Sequence, residues 1–236
     1  MKRILFLLLV CFAASVAGAQ NYDAIKTMLT LGQYQKAREE LDKNMGNAKF
    51  TSKAEAYMLK TGIYSALSMD NTNKNTPAGE QLAGDADAAF KKYKEMDPAM
   101  ALVGDPVYQN GPINLYSFFY SSGYLDYTKK SWQTGFEKLK KAVEFSDLLM
   151  ARKIITAPVD TNVLVLAGIT AAESKNSDAA ALYYGRLSDA KIGGAEFESI
   201  YRFLVNYHFG KKNMTAFEKY KALGQELYPK SDYFTY

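Results

Sequence analysis

Apolar residues recur at intervals of three or four positions along most of this chain, with polar residues between them. That spacing places the apolar side chains on one face of a helix and predicts amphipathic α-helices. A clear example follows the helix-breaking Gly32 and carries Tyr34, Ala37, Leu41 and Met45 on one stripe. The alternation of apolar and polar residues that marks a half-buried strand does not occur beyond residue 20. The pattern therefore predicts an all-α fold.

Ten helices are predicted, in five consecutive pairs, with bounds set by capping residues, glycines and prolines. The first covers 22–30, with Asn21 as its cap, and the last four cover 161–175, 177–190, 195–210 and 213–228. The others are a helix that carries the stripe from Tyr34 to Met45 and is ended by Gly46 and Asn47, one capped by Thr51 or Ser52 that runs to about Ser68, one closed by Asp97 and Pro98, one beginning at Pro112, and one beginning near Ser131. Aperiodic polar residues predict a loop over 69–77, and glycines and a proline predict a second irregular connection over 99–111.

The N-terminus predicts export from the cytoplasm. Met1, Lys2 and Arg3 precede an uncharged run over 4–19 that ends in small residues, the pattern of a secretory signal peptide cut before Gln20. A membrane anchor is the competing interpretation. A spanning helix needs about 20 strongly apolar residues, and this run ends in a weakly apolar stretch of alanine, serine and glycine.

A lipid anchor on Cys11 is a third possibility for the same segment. Bacterial lipoproteins carry a small residue before the modified cysteine, and Val10 stands at that position. We therefore expect a signal peptide over 1–19 of the Gram-negative bacterial type and a single helical-repeat domain over 20–236. The protein should be periplasmic or secreted, with no stable membrane span after cleavage.

The composition leaves few groups for chemistry. Cys11 is the only cysteine, so the cleaved chain has no disulfide, no thiolate metal ligand and no cysteine nucleophile. His208 is the only histidine, and no phosphate-binding glycine motif occurs. Loss of Lys2 and Arg3 lowers the net charge from +4 to +2, which gives no argument for nucleic acid. We find no set of nucleophile, base and electrophile, and we expect no enzyme activity, no catalytic residue, no metal and no cofactor.

The helix pairs resemble the tetratricopeptide repeat, a unit of two antiparallel helices with a glycine at the turn, an aromatic residue after it and an alanine early in the second helix. Gly32, Tyr34, Ala37 and Leu41 fit that pattern in the first unit. Later matches are Ala86 and Phe90, then Gly123, Trp132, Gly135 and Leu139, then Gly168, Ala180 and Tyr184, then Tyr207, Ala216, Tyr220 and Leu223. Insertions in the second and third units, and Leu204 in place of a small residue, depart from it. The resemblance implies an α-α superhelix, a tetratricopeptide-like solenoid of about five helical hairpins.

In that family the first helix of each hairpin lines a concave groove, so the resemblance implies a partner-binding groove here. The matching positions are Met58, Tyr120, Tyr124, Tyr127, Val165, Ile169, Tyr201, Val205 and His208. Tyrosine combines a large rigid area with a hydrogen-bonding tip, which suits peptide recognition. The alternative is that Tyr120 and Tyr124 pack against neighbouring helices.

Export, repeats and missing catalytic groups together predict a non-enzymatic scaffold of the periplasm or cell envelope. It would bind a peptide or a partner helix in the groove. One alternative is an outer-membrane assembly or envelope accessory factor. Another is a glycan-binding or small-ligand-binding helical-repeat protein, because aromatic faces also stack on sugars.

Overall fold

The computed structural model describes residues 22–235, which form eleven α-helices and no strand. The all-α prediction is therefore confirmed. The expected signal peptide over 1–19, its cleavage before Gln20, the lipid anchor on Cys11 and the cap at Asn21 all lie outside the described residues.

The helices follow the chain in this order. They are α1 (22–30), α2 (Tyr34–Met45), α3 (Ala48–Thr51), α4 (Ala54–Ser68), α5 (Pro77–Met96), α6 (Asn110–Thr128), α7 (Trp132–Ala151), α8 (Thr161–Glu173), α9 (Ser177–Asp189), α10 (Glu198–Gly210) and α11 (Met214–Leu227). Short 3-10 turns cover Ala101–Gly104, Ala195–Phe197 and Asp232–Phe234. The predicted helices over 161–175, 177–190, 195–210 and 213–228 agree with α8 to α11 within three residues at each end. The loop predicted over 69–77 corresponds to the connection between α4 and α5, which ends one residue earlier because Pro77 is the first residue of α5.

The helix α3 was missing from the prediction. Thr51 and Ser52 were expected to cap the next helix, but Thr51 ends α3 and α4 begins at Ala54 without a side-chain cap. The cap in this region is Asn47, whose Oδ1 accepts a hydrogen bond from the backbone N–H of Lys49 at 2.9 Å. The Ser52 hydroxyl instead donates to the carbonyl oxygen of Lys49, which closes the short helix. Asparagine is as good a cap as serine or threonine. Asn47 therefore starts a short helix before Thr51 and Ser52, and neither of these two residues caps α4.

The chain divides into two compact units, the first ending at Phe118 and the second beginning at Phe119. The single domain expected over 20–236 stays a prediction. In the first unit α4 is the central helix, and every residue from Thr61 to Ser68 is buried. It packs against α2 and α5. Apolar residues on more than one face of this segment are explained by those two neighbours.

The second unit contains α7 to α11 and the part of α6 from Phe119 onward. Its helices form the pairs α6–α7, α8–α9 and α10–α11, and the turns within the three pairs have the same construction. Each turn places one lysine in the left-handed backbone region, and these are Lys130 (φ 57°), Lys175 (φ 63°) and Lys212 (φ 57°). In each case the next residue donates its backbone N–H to a carbonyl oxygen five positions back. The three bonds are Ser131 to Asp126, Asn176 to Ala171 and Asn213 to His208, at 2.9, 2.8 and 2.9 Å. This is the hydrogen-bond pattern of a Schellman helix end, and it makes Ser131, Asn176 and Asn213 equivalent positions.

Candidate partner-binding surface

Helices α6, α8 and α10 bury the same positions when residues are counted back from these equivalent turns. The buried positions lie 12, 9 and 8 residues before Ser131, Asn176 and Asn213. They are Phe119, Ser122 and Gly123 in α6, Leu164, Ala167 and Gly168 in α8, and Tyr201, Leu204 and Val205 in α10. The three helices therefore share these buried positions in one register, which aligns them without insertions when counted from the turns.

The positions 11, 7 and 4 residues before the turns lie on one flank of the same three helices, rotated by roughly 110° from the buried positions, and we call them the outer stripe. They are Tyr120, Tyr124 and Tyr127 in α6, Val165, Ile169 and Ala172 in α8, and Arg202, Asn206 and Phe209 in α10. All nine are half-buried or exposed. Tyr124 is 49% exposed and Phe209 is 63% exposed, unusually high for large apolar side chains.

The predicted groove residues divide into three groups. Tyr120, Tyr124 and Tyr127 lie on the outer stripe together with Val165 and Ile169. The side chains of Met58, Tyr201 and Val205 are buried, so they face no solvent. Met58 also belongs to the first unit, whereas the other predicted groove residues belong to the second. His208 is half-buried.

The residues chosen in α10 are each one position before those that the turn register places on the stripe. The register assigns Arg202, Asn206 and Phe209 where the sequence pattern assigned Tyr201, Val205 and His208. A one-residue shift rotates a helical position by about 100°, which moves a side chain from the surface into the core. The signal that finds the register is the lysine followed by serine or asparagine at the turn, as in 130–131, 175–176 and 212–213.

The inward position of Tyr201 is fixed by its contacts. Its hydroxyl donates a hydrogen bond of 2.7 Å to the carbonyl oxygen of Ile192. Its ring meets the ring of Tyr228 edge-on, with centroids 5.4 Å apart. Burial raises the pKa of Tyr201 to about 12, so the hydroxyl stays neutral at any physiological pH. Tyr201 is a core residue that ties α10 to the segment before it.

Aromatic rings continue the outer stripe at the α6 end. Tyr124 and Tyr127 stack with centroids 6.0 Å apart, and Tyr127 meets Trp132 edge-on at 6.0 Å. Burial raises the pKa of Tyr120, and the carboxylate of Asp160 adds to the shift. Asp160 also caps α8, since its carboxylate accepts a hydrogen bond from the backbone N–H of Val163. The electrostatic effect of Asp160 on Tyr120 indicates that this cap lies near the tyrosine row of α6.

The single histidine is part of an aromatic cluster beside the stripe. His208 stacks on Tyr220 at 5.2 Å and meets Tyr207 edge-on at 4.9 Å. Burial lowers the pKa of His208, and the positive charge of Lys219 lowers it further. The imidazole is therefore neutral at pH 7. Its contacts are rings, and they give it a packing role between α10 and α11.

The described residues contain no cluster of three histidine, cysteine or acidic side chains arranged to hold a metal ion. Over the same residues, 22–235, no helix combines the length and apolar character needed to cross a membrane.

No family model matches the sequence, and no curated protein matches it either. The resemblance to tetratricopeptide repeats stays a prediction. The structural features that bear on it are the helix pairs, their shared turns, and the small residues where the helices cross. Gly168 is the clearest of these, because a Cβ atom there would overlap the ring of Tyr184.

Proposed function

We propose that the protein is a non-enzymatic cell-envelope scaffold that binds an extended peptide or a partner helix along the outer stripe of its second unit. One observation supports this above all. Three equivalent helices present the same three positions outward, and those positions carry large side chains such as Tyr124 and Phe209 that remain open to solvent. A repeated row of this kind offers regularly spaced contacts to a partner whose side chains are also regularly spaced, as in an extended peptide or a helix.

The side chains of the outer stripe differ in chemistry from one helix to the next, and this difference determines which partner fits it. The α6 positions are all tyrosine, the α8 positions are Val165, Ile169 and Ala172, and the α10 positions include Arg202 and Asn206. We expect a partner with aromatic or aliphatic side chains against α6 and α8. Toward α10 it should offer polar groups that hydrogen-bond to the exposed amide of Asn206, because the guanidinium of Arg202 already pairs with the carboxylate of Glu198.

The location in the cell envelope rests on the export signal predicted over 1–19. A tetratricopeptide-like superhelix is likewise part of the proposal, supported by the three helix pairs and their common turn construction. Binding by side chains of rigid helices would need little rearrangement of the protein, which favours affinity because few groups are ordered on binding.

The test is selection from a random peptide display library against the immobilised chain, followed by titration of the enriched peptides. The double variant Tyr124→Ala with Phe209→Ala should weaken the selected peptides roughly tenfold or more, because exposed aromatic anchors carry much of the energy at such interfaces. Fluorescence anisotropy of labelled peptides gives the dissociation constants. Circular dichroism should show unchanged folding, since both side chains are largely exposed.

The matched control is Leu182→Ala. Leu182 is 63% exposed, as Phe209 is, but it lies on α9 and not on the outer stripe. Its removal should leave peptide binding unchanged. A library that yields no binder above an unrelated helical protein, or a control variant that loses as much affinity as the double variant, would contradict the proposed function.

A further inference from the structure

The three lysine turns of the second unit lie at one edge of it. Gly135, near the start of α7, lies beside Thr170, near the end of α8, because a Cβ on the glycine would be 3.4 Å from the threonine Cγ2. Asp178, near the start of α9, pairs with Lys211 just after α10, with 2.8 Å between Oδ1 and Nζ. These contacts place the α6–α7, α8–α9 and α10–α11 turns side by side.

This edge carries a concentration of positive charge. Its turn segments, 128–133, 173–178 and 210–215, hold five lysines and two acidic residues, a net charge of +3. The lysines, which we call the lysine edge, are Lys129, Lys130, Lys175, Lys211 and Lys212, and all five are exposed. The segments at the opposite ends of the helices, 151–161, 189–198 and 227–235, hold four basic and five acidic residues, a net charge of −1.

Apolar side chains stand next to the lysines. Trp132 and Met214 are the first residues of α7 and α11, two positions after Lys130 and Lys212. Met214 is 48% exposed, and Trp132 is half-buried against Tyr127. Exposed lysines interleaved with tryptophan and a long apolar side chain are the combination found where proteins rest on anionic bilayers. The phosphate backbone of a nucleic acid would pair with the lysines, whereas a bilayer interface accommodates both the lysines and the exposed apolar Met214.

We propose that the lysine edge docks on the headgroup surface of an anionic phospholipid bilayer, with Trp132 and Met214 reaching the interface between headgroups and acyl chains. Each lysine near such a surface contributes an attraction that falls off within a Debye length. Tryptophan prefers that interface because its ring is apolar and its N–H is a hydrogen-bond donor. Docking by this edge covers the stripe positions next to the turns, such as Tyr127 beside Trp132. It leaves those farther along the helices, such as Tyr120 and Tyr124, free to hold a partner.

The experiment is co-sedimentation of the full chain with vesicles of equal parts phosphatidylglycerol and phosphatidylcholine, against vesicles of phosphatidylcholine alone. Trp132 is the only tryptophan in the chain, so its emission reports directly on this edge. We expect binding to the anionic vesicles only, a blue shift of the emission, and loss of both in high salt. Any contribution from residues 1–21 is common to the wild type and all variants.

The decisive comparison uses two double variants of matched design. All four lysines that are replaced have a backbone in the left-handed region. Lys130→Gln with Lys212→Gln removes two of them from the lysine edge. Lys153→Gln with Lys191→Gln removes two from the opposite ends of the helices. Both change the net charge equally. The first should weaken vesicle binding about thirtyfold, and the second should change it less than threefold, within roughly the effect of a distant surface charge.

Three results would overturn the docking proposal. They are a wild-type chain that does not sediment with the anionic vesicles, equal losses in the two double variants, and an unchanged Trp132 emission in the sedimented complex. If the same lysines instead retain the chain on a DNA duplex while vesicles do not bind, the edge is a nucleic-acid surface and the bilayer assignment is wrong.

Discussion

Replacement of Tyr201 by alanine is expected to destabilise the second unit by about 3–5 kcal/mol, the cost of truncating a fully buried aromatic side chain. The ring has no exposed surface and packs against Tyr228. Its removal leaves a cavity beside α10 and leaves the carbonyl oxygen of Ile192 without the hydroxyl that donates to it. The cavity and the lost hydrogen bond both raise the free energy of the folded state and leave the unfolded state unchanged.

Urea unfolding followed by Trp132 fluorescence measures this effect, since the only tryptophan lies in the second unit. Tyr201→Phe should cost about 1 kcal/mol, because it removes only the hydrogen bond. Phe209→Ala is the exposed control and should change the free energy of unfolding by less than about 0.5 kcal/mol. If Tyr201→Ala were as mild as Phe209→Ala, Tyr201 would lie on the surface and the register of α10 would be wrong.

The substitution Gly168→Ala is expected to destabilise the second unit by about 3 kcal/mol, at the upper end of the usual cost of overpacking a core. The added methyl group would occupy space filled by the ring of Tyr184, at the crossing of α8 and α9. The higher helix propensity of alanine offsets only about 1 kcal/mol of this. Separation of the two helices would then loosen the whole pair.

A second glycine supplies the control for this prediction. At Gly210, the last residue of α10, a methyl group would meet no atom within 4 Å apart from the backbone of its own helix and its chain neighbours. Gly210→Ala should therefore be neutral or stabilising by up to about 1 kcal/mol. The double variant Gly168→Ala with Tyr184→Leu should be more stable than the sum of its single effects, since the smaller side chain makes room. Additive effects in that cycle would show that the two residues do not touch.

Much of the secondary structure could be predicted from the sequence because the capping residues and helix breakers stand where the apolar periodicity begins and ends. The starts of α8, α9 and α11 are marked by Asp160, Asn176 and Asn213, each of which caps a helix with its side chain. The short helix α3 could not be predicted in the same way. Its single turn carries no periodic pattern, and its cap at Asn47 stands only a few residues before two other good capping residues.

The candidate surface could be predicted in α6 and not in α10, for a physical reason. In α6 and α8 a glycine marks the position that faces the second helix of the pair, so the outer stripe is easily identified. In α10 the equivalent position is Val205 and the residue before it is Leu204. Both are buried, but without a glycine the sequence does not show that Val205 faces the second helix of the pair. The turn at Lys212 resolves this, because its hydrogen bonds fix the register independently of side-chain size.

The most direct test of the repeated outer stripe is cysteine labelling along α10. Beyond Cys11 the chain has no cysteine, so serine in place of Cys11 gives a background without thiols. Single cysteines at Arg202, Asn206 and Phe209 should react with a maleimide at rates near that of a free peptide. Single cysteines at Tyr201, Leu204 and Val205 should react at least about a hundredfold more slowly in the folded chain, because a buried thiol is reached only through opening of the structure. Fast labelling at Tyr201 and Val205 with slow labelling at Arg202 and Asn206 would contradict the repeated outer stripe.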